Sequence, residues 1–272
     1  MRYILILIFT MLPLSVVAQD TLELGQQFEA EKNYVEAEKA YRKVFFEGDA
    51  NGAFYLYDLN KKGIIDVKDV NNMKRVALEM LKKQAADGDG SAALDLGHYY
   101  LFGKYLKGDY KRSHHYFLIA EKLGKPIAAY RLGMSYLDGL YHNINARKAM
   151  YYLQRASDAG VGRASRQIAI AYHLGVGKPK DIDKAIEYYA KAANEGETLA
   201  MRDLANIYTH EIKNAKLHEE WLLEAVKHDV SDAHYMLGKV YKNSNPEKSK
   251  FHYQAAADMK HHLSRIEIYG DY

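Results

Sequence analysis

From about residue 20 onward, apolar and small residues recur at spacings of three and four, the period of a helix that buries one face. Ala128-Ala129-Tyr130-Arg131-Leu132-Gly133-Met134-Ser135-Tyr136-Leu137 is one such stretch, and the run from Asp181 to Ala193 is another. A short loop containing Gly139 follows the first, and the second ends at Gly196. The pattern predicts a chain of helix pairs.

The pairs repeat. A small residue followed three positions later by tyrosine occurs as Gly97/Tyr100, Gly133/Tyr136, Ala169/Tyr172, Ala205/Tyr208 and Gly238/Tyr241, at steps of 36, 36, 36 and 33. Ala92, Ala128, Ala164, Ala200 and Ala233 keep the same steps. So do the turn glycines Gly88, Gly124, Gly160 and Gly196, with Asp229 closing the series. A third ladder holds Asp109, Asn145, Asp181, Asn214 and Asn245. Asp and Asn favour the position before a helix because the side-chain oxygen accepts a free backbone N–H. One hairpin cannot bury its apolar face alone, so stacked copies must share a core. The tyrosines on the ladder, with Tyr116, Tyr152 and Tyr188, read as packing residues and not as a binding stripe.

The stretch from Ala164 to Gly196, ending HLGVGKPKDIDKAIEYYAKAANEG, resembles the Sel-1-like repeat family, a branch of the tetratricopeptide-like solenoids. It carries the small-residue ladder, the glycine loop, the Asp cap, the Lys-Ala pair, the aromatic pair and the Ala-Ala-x-x-Gly close. The resemblance is strongest over residues 85–200. The outer units have shorter internal spacings, 12 residues from Gly25 to Ala37 (with Asn33 as cap) and 11 from Gly238 to Ser249, closer to ordinary tetratricopeptide hairpins. The fold expected is all-α, a right-handed α/α solenoid of about seven helix-turn-helix repeats in a single domain over 19–272. The repeats fall at about 21–48, 49–88, 89–124, 125–160, 161–196, 197–229 and 230–260, with a C-terminal cap at 261–272.

The first eighteen residues read differently. Arg2 precedes an apolar run from Ile4 to Leu14, and Ser15-Val16-Val17-Ala18 places small side chains before a cut after Ala18. That is the form of a secretory signal, and the run is short of the ~20 residues of a membrane span. The expectation is a periplasmic or secreted protein, soluble after signal removal and without a transmembrane helix. Across all 272 residues, 38 basic side chains stand against 35 acidic ones, so composition offers no basic footprint for nucleic acid. The absence of cysteine removes disulfides, a cysteine nucleophile and thiolate metal ligation.

No motif for catalysis or a cofactor emerges. Gly175-Val176-Gly177-Lys178 imitates part of a phosphate loop but lies between two helices. Asp87-Gly88-Asp89-Gly90-Ser91 hints at a calcium loop, yet His98 stands where a bidentate glutamate belongs. The doublets His114-His115 and His261-His262 project about 100° apart on a helix and so cannot readily share a metal. The expected protein is not an enzyme and holds neither metal nor cofactor. Some cysteine-rich relatives are credited with penicillin binding or β-lactam hydrolysis, which leaves a secreted hydrolase as an alternative. A periplasmic regulator of a sensor protein is another.

The resemblance implies that first helices line a concave face that binds a protein or peptide partner. The corresponding positions include Leu94, Tyr130, Met134 and Leu137, and then Arg163, Arg166, Arg202 and Lys239. The first group would supply an apolar anchor. The arginines would grip carboxylates of an acidic segment, since none has an acidic residue three or four positions away on its own helix.

Overall fold

The computed structural model describes residues 14–269; the first thirteen residues of the expected signal segment and the last three of the expected cap lie outside the described residues. The described residues form fifteen helices and no strand. Two compact units divide at Gly124/Lys125. The first holds α1 (Leu14–Ala30), α2 (Tyr34–Phe46), α3 (Ala50–Lys61), α4 (Val70–Ala86), α5 (Gly90–Phe102) and α6 (Tyr110–Lys122). The second holds α7 (Pro126–Asp138), α8 (Ala146–Asp158), α9 (Gly162–Leu174), α10 (Ile182–Asn194), α11 (Thr198–His210), α12 (Ala215–Val226), α13 (Ser231–Tyr241), α14 (Pro246–Asp258) and α15 (His262–Tyr269). Within each unit a helix packs chiefly on its chain neighbours, the arrangement of an α-solenoid built from helix hairpins.

Side-chain chemistry sets the helix ends. Asp109, Asn145, Asp181, Asn214 and Asn245 each accept a backbone N–H three residues on, from Arg112, Lys148, Lys184, Leu217 and Lys248. Asn33 occupies the same place before α2 but makes no such bond. At the turn between repeats the backbone is left-handed, with φ of +84° at Gly196. The matching residue one repeat later is Asp229, at φ 54°, where a side chain tolerates the conformation less well.

Small residues let the paired helices approach. A Cβ added at Gly133 would lie 2.7 Å from Leu153 Cγ, and α7 and α8 could not close to their present distance around it. The hydroxyl of Ser113 donates to the Gly97 carbonyl at 2.8 Å and that of Ser249 to the Gly238 carbonyl at 2.7 Å, fastening two hairpins at the same point. The tyrosine ladder packs as its periodicity implies. Tyr100, Tyr136 and Tyr241 are buried. Tyr100 stacks on Tyr116, Tyr136 on Tyr152 and Tyr172 on Tyr188, at 5.6, 5.8 and 5.8 Å. The spacing does not reveal that a cation lies over four of the five ladder rings. Arg112, Lys148, Lys184 and Lys248, all in the first turn of a second helix, sit 5.1–5.5 Å from the rings of Tyr100, Tyr136, Tyr172 and Tyr241. A continuous core from Ala169 to Tyr241 links α9 through α13.

Candidate functional site

The first helices of the second unit, α7, α9, α11 and α13, carry seven of the eight expected groove residues. Leu94 lies on α5 of the first unit and is half-buried. Tyr130, Met134 and Leu137 are half-buried on α7, and Tyr130 and Leu137 also pack against the core around Leu153 and Ile168. Their anchor surface is therefore partly committed to the fold.

The three arginines have partners, each supplied from the next repeat. Arg166 Nε donates to Asp203 Oδ2 at 2.7 Å, with side chains 20% and 14% exposed. Arg202 reaches Asp232 at 2.5 Å and Asp203 at 3.4 Å. Arg163 lies 3.7 Å from Glu197 and is itself 67% exposed. Burial alone would lower the pKa of Arg202, but hydrogen bonds and attraction from Asp232 and Asp203 outweigh it and raise it. Asp232 also faces His261 at 3.3 Å, and the ring of His261 stacks on Tyr235. The result is a neutralised ladder of cations and carboxylates running from α9 to α13. Lys239 is exposed, 5.7 Å from the ring of Tyr235.

One cavity opens on this face. Its volume is about 450 Å³, and its walls are Tyr130, Arg163, Arg166, Gln167, Gly196, Glu197, Thr198 and Leu199. It brings together three of the expected residues and leaves Met134, Leu137, Arg202 and Lys239 outside its lining. Gln167 and Glu197 are the residues that reading one helix at a time missed. The signal that could have found them is the step of roughly one repeat that places Glu197 opposite Arg163 and Asp203 opposite Arg166. A larger cavity of about 640 Å³ lies elsewhere in the unit, lined by Met201, Leu217 and the lone tryptophan, Trp221, with Glu220 and Glu224 beside them.

The structure does contain a serine–lysine contact. Lys191 Nζ donates to Ser157 Oγ at 2.8 Å; Ser157 lies 2.8 Å from Ser165, whose hydroxyl donates to Glu195 at 2.5 Å. Both serines are 0% exposed, so no substrate carbonyl can reach either oxygen. Lys191 also stands 3.8 Å from both Asp158 and Glu195. The cluster is a polar clasp joining α8, α9 and α10. Among the described residues no group of three His, Asp or Glu side chains is arranged to hold a metal ion. Asp89 of the calcium-like segment accepts the backbone N–H groups of Ser91 and Ala92. Of the histidine doublets, His114 is buried, His115 turns outward beside Tyr116, His261 pairs with Asp232 and His262 is exposed.

Residues 90–125, 126–161, 163–197 and 231–261 match the Sel1 repeat, half of the chain. The chain belongs to the Sel1 repeat family. Two solved structures resemble this Sel1 repeat protein. One is c5321, a protective antigen present in uropathogenic Escherichia coli strains and displaying an SLR fold. It is 22% identical with a TM-score of 0.63, over 92% of this chain and 56% of that one. This chain thus spans little more than half the length of the E. coli protein. The other is a Sel1 repeat protein from Oxalobacter formigenes, 22% identical with a TM-score of 0.64, over 88% of this chain and 99% of that one. At such identity the likeness is one of fold. No curated protein matches the chain. The three hairpins that the family pattern leaves unmatched, α1/α2, α3/α4 and α11/α12, hold the family's backbone arrangement without its full signature.

Proposed function

We propose that this Sel1 repeat protein is an exported, non-enzymatic scaffold that binds a protein or peptide partner along the face lined by its first helices. The observation that carries the reading is the cavity between α7, α9 and α11. There the largely exposed guanidinium of Arg163 stands beside the ring of Tyr130 and the side chain of Leu199. A planar fork next to an apolar wall suits a carboxylate-bearing side chain flanked by an apolar one. Arg166 and Arg202, each tied to an aspartate, hold consecutive repeats in register, so Arg163 is the arginine offered to an acidic partner. Export is supported by the basic, apolar and small-residue order of residues 2–18.

Crosslinking capture from the cell envelope tests the reading, with the wild type beside Arg163→Glu and Tyr130→Ala. A partner held by the wild type and lost from Arg163→Glu, at unchanged thermal stability, is the expected result. Equal capture by both would remove the cavity from the function. N-terminal sequencing of the recovered protein should begin at Gln19, and a start at Met1 would overturn cleavage. Turnover of a chromogenic cephalosporin by the wild type would reinstate the hydrolase.

A further inference from the structure

In the first three hairpins of the second unit the loops that join the two helices lie along one edge, and that edge differs in charge from the opposite one. Its segments are 139–145, 175–181 and 211–214. They touch in sequence: a Cβ built at Gly177 would meet Ala146 Cβ at 2.6 Å, and Lys180 Nζ donates to Glu211 Oε1 at 3.0 Å. Leu140, Val176 and Ile212 occupy the same place in three successive repeats, at 36-residue steps, and are 36%, 49% and 45% exposed. Ile144 and Leu174 beside them are 72% and 65% exposed. None of these five lines the cavity described above.

Charge separates this edge from the opposite one. Carried into the first turn of the second helices, segments 139–148, 175–184 and 211–217 hold seven basic residues against three acidic ones. Of those acids, Asp181 caps α10 and Glu211 is held by Lys180. The turns at the other edge, 158–163, 194–199 and 227–232, hold two basic residues against five acidic ones. Aliphatic side chains that protrude from loops, set among cations, suit a soft interface that closes around them. Lysine and arginine near an anionic bilayer add attraction on the order of 1 kcal/mol each, falling off within a Debye length.

We propose that this loop edge docks on an anionic lipid surface. Ile144, Leu174, Val176 and Ile212 enter the headgroup layer, and the exposed Arg147 and Lys213 face the lipid phosphates. The proposal rests on the edge alone and is independent of the partner-binding cavity.

The cysteine-free chain makes a direct test available, since a single introduced cysteine can carry a polarity-sensitive fluorophore. Full-length Ile144→Cys is labelled, with Asn194→Cys at the opposite edge as the reference. Each is mixed with vesicles of phosphatidylcholine alone or with about one-third phosphatidylglycerol. A blue shift at position 144 on the anionic vesicles only, reversed by high salt and absent at position 194, is expected. Arg147→Glu/Lys213→Glu in the Ile144→Cys background should weaken the vesicle titration at least about tenfold. Arg147→Gln/Lys213→Gln serves if the reversal disturbs folding, judged by circular dichroism. Several results would overturn the assignment: no shift at 144 on anionic vesicles, an equal shift on neutral ones, or an equal shift at 194. A shift that grows with protein concentration without lipid would give the edge to a second copy of the chain and overturn it too. Because each label reports its own edge, tethering through another part of the chain cannot imitate the expected result.

Discussion

Gly52 offers the sharpest test of how tightly the repeats are built. It lies on α3 against the backbone of α2, and a Cβ there would meet the Tyr41 carbonyl oxygen at 2.2 Å and the Phe45 nitrogen at 2.6 Å. Backbone atoms have no rotamer to escape into, so the helices must part. One repeat later Ala92 holds the matching place, three residues after the cap Asp89 as Gly52 is three after Asp49, and it is fully accommodated. Replacing a helical glycine by alanine ordinarily gains about 1 kcal/mol. Overpacking a rigid contact costs up to about 3 kcal/mol. Gly52→Ala should therefore lose about 2 kcal/mol net, lowering the melting temperature by roughly 4–8 °C for a chain of this size. Ala92→Gly, which opens no clash, should lose about 1 kcal/mol through propensity and up to about 0.8 kcal/mol more with its buried methyl. Thermal melts followed by circular dichroism measure both, and hydrogen exchange should show the loss of protection concentrated in α2 and α3. Gly52→Ala as stable as the wild type or more so would refute the close approach of the two helices.

The arginine ladder and the C-terminal histidines give further expectations. Asp203→Ala strips a partly buried carboxylate from both Arg166 and Arg202, and should cost about 2 kcal/mol in urea denaturation. A double-mutant cycle with Arg166→Ala should return a coupling of at least about 1 kcal/mol, and additivity would show the pair to be energetically idle. His234 and His252 meet through their Nδ1 atoms at 3.0 Å in the last hairpin. Burial lowers both pKa values, and for His252 the neighbouring His234 and Lys248 add to it. A depressed folded-state pKa means the unfolded chain binds protons first. Stability should be full above about pH 6.5 and fall as pH drops from there through the depressed folded-state values, then level off. Urea midpoints between pH 8 and pH 5 would show the fall, and His252→Phe should flatten it. An unchanged slope would mean that the pair is not what titrates.

What sequence made legible here follows the range of the interaction. Asp181 and Asn145 cap helices by bonding an amide three residues away, and such contacts leave a mark in one line of text. Gly133 and Tyr136 repeat at a fixed step because each hairpin closes and stacks in the same way. Glu197 and Asp203 were missed because their arginines lie 34 and 37 residues earlier, beyond any helical turn. The burial of Tyr130 and Leu137 against the core of α8 and α9 depends on three helices at once, so an expected groove residue became partly a packing residue.

The arginine–aspartate ladder also gives the repeats an order. Their backbones are nearly interchangeable, and shuffling two of them would preserve every cap and every turn. Yet Arg166 needs the carboxylate of Asp203 from the repeat that follows, and at the place of Asp203 the repeat before carries Arg131, 72 residues earlier. A chain with its fourth and fifth repeats exchanged would set two guanidiniums face to face. Near-identical bricks are thus keyed to one another along the stretch where the ladder runs.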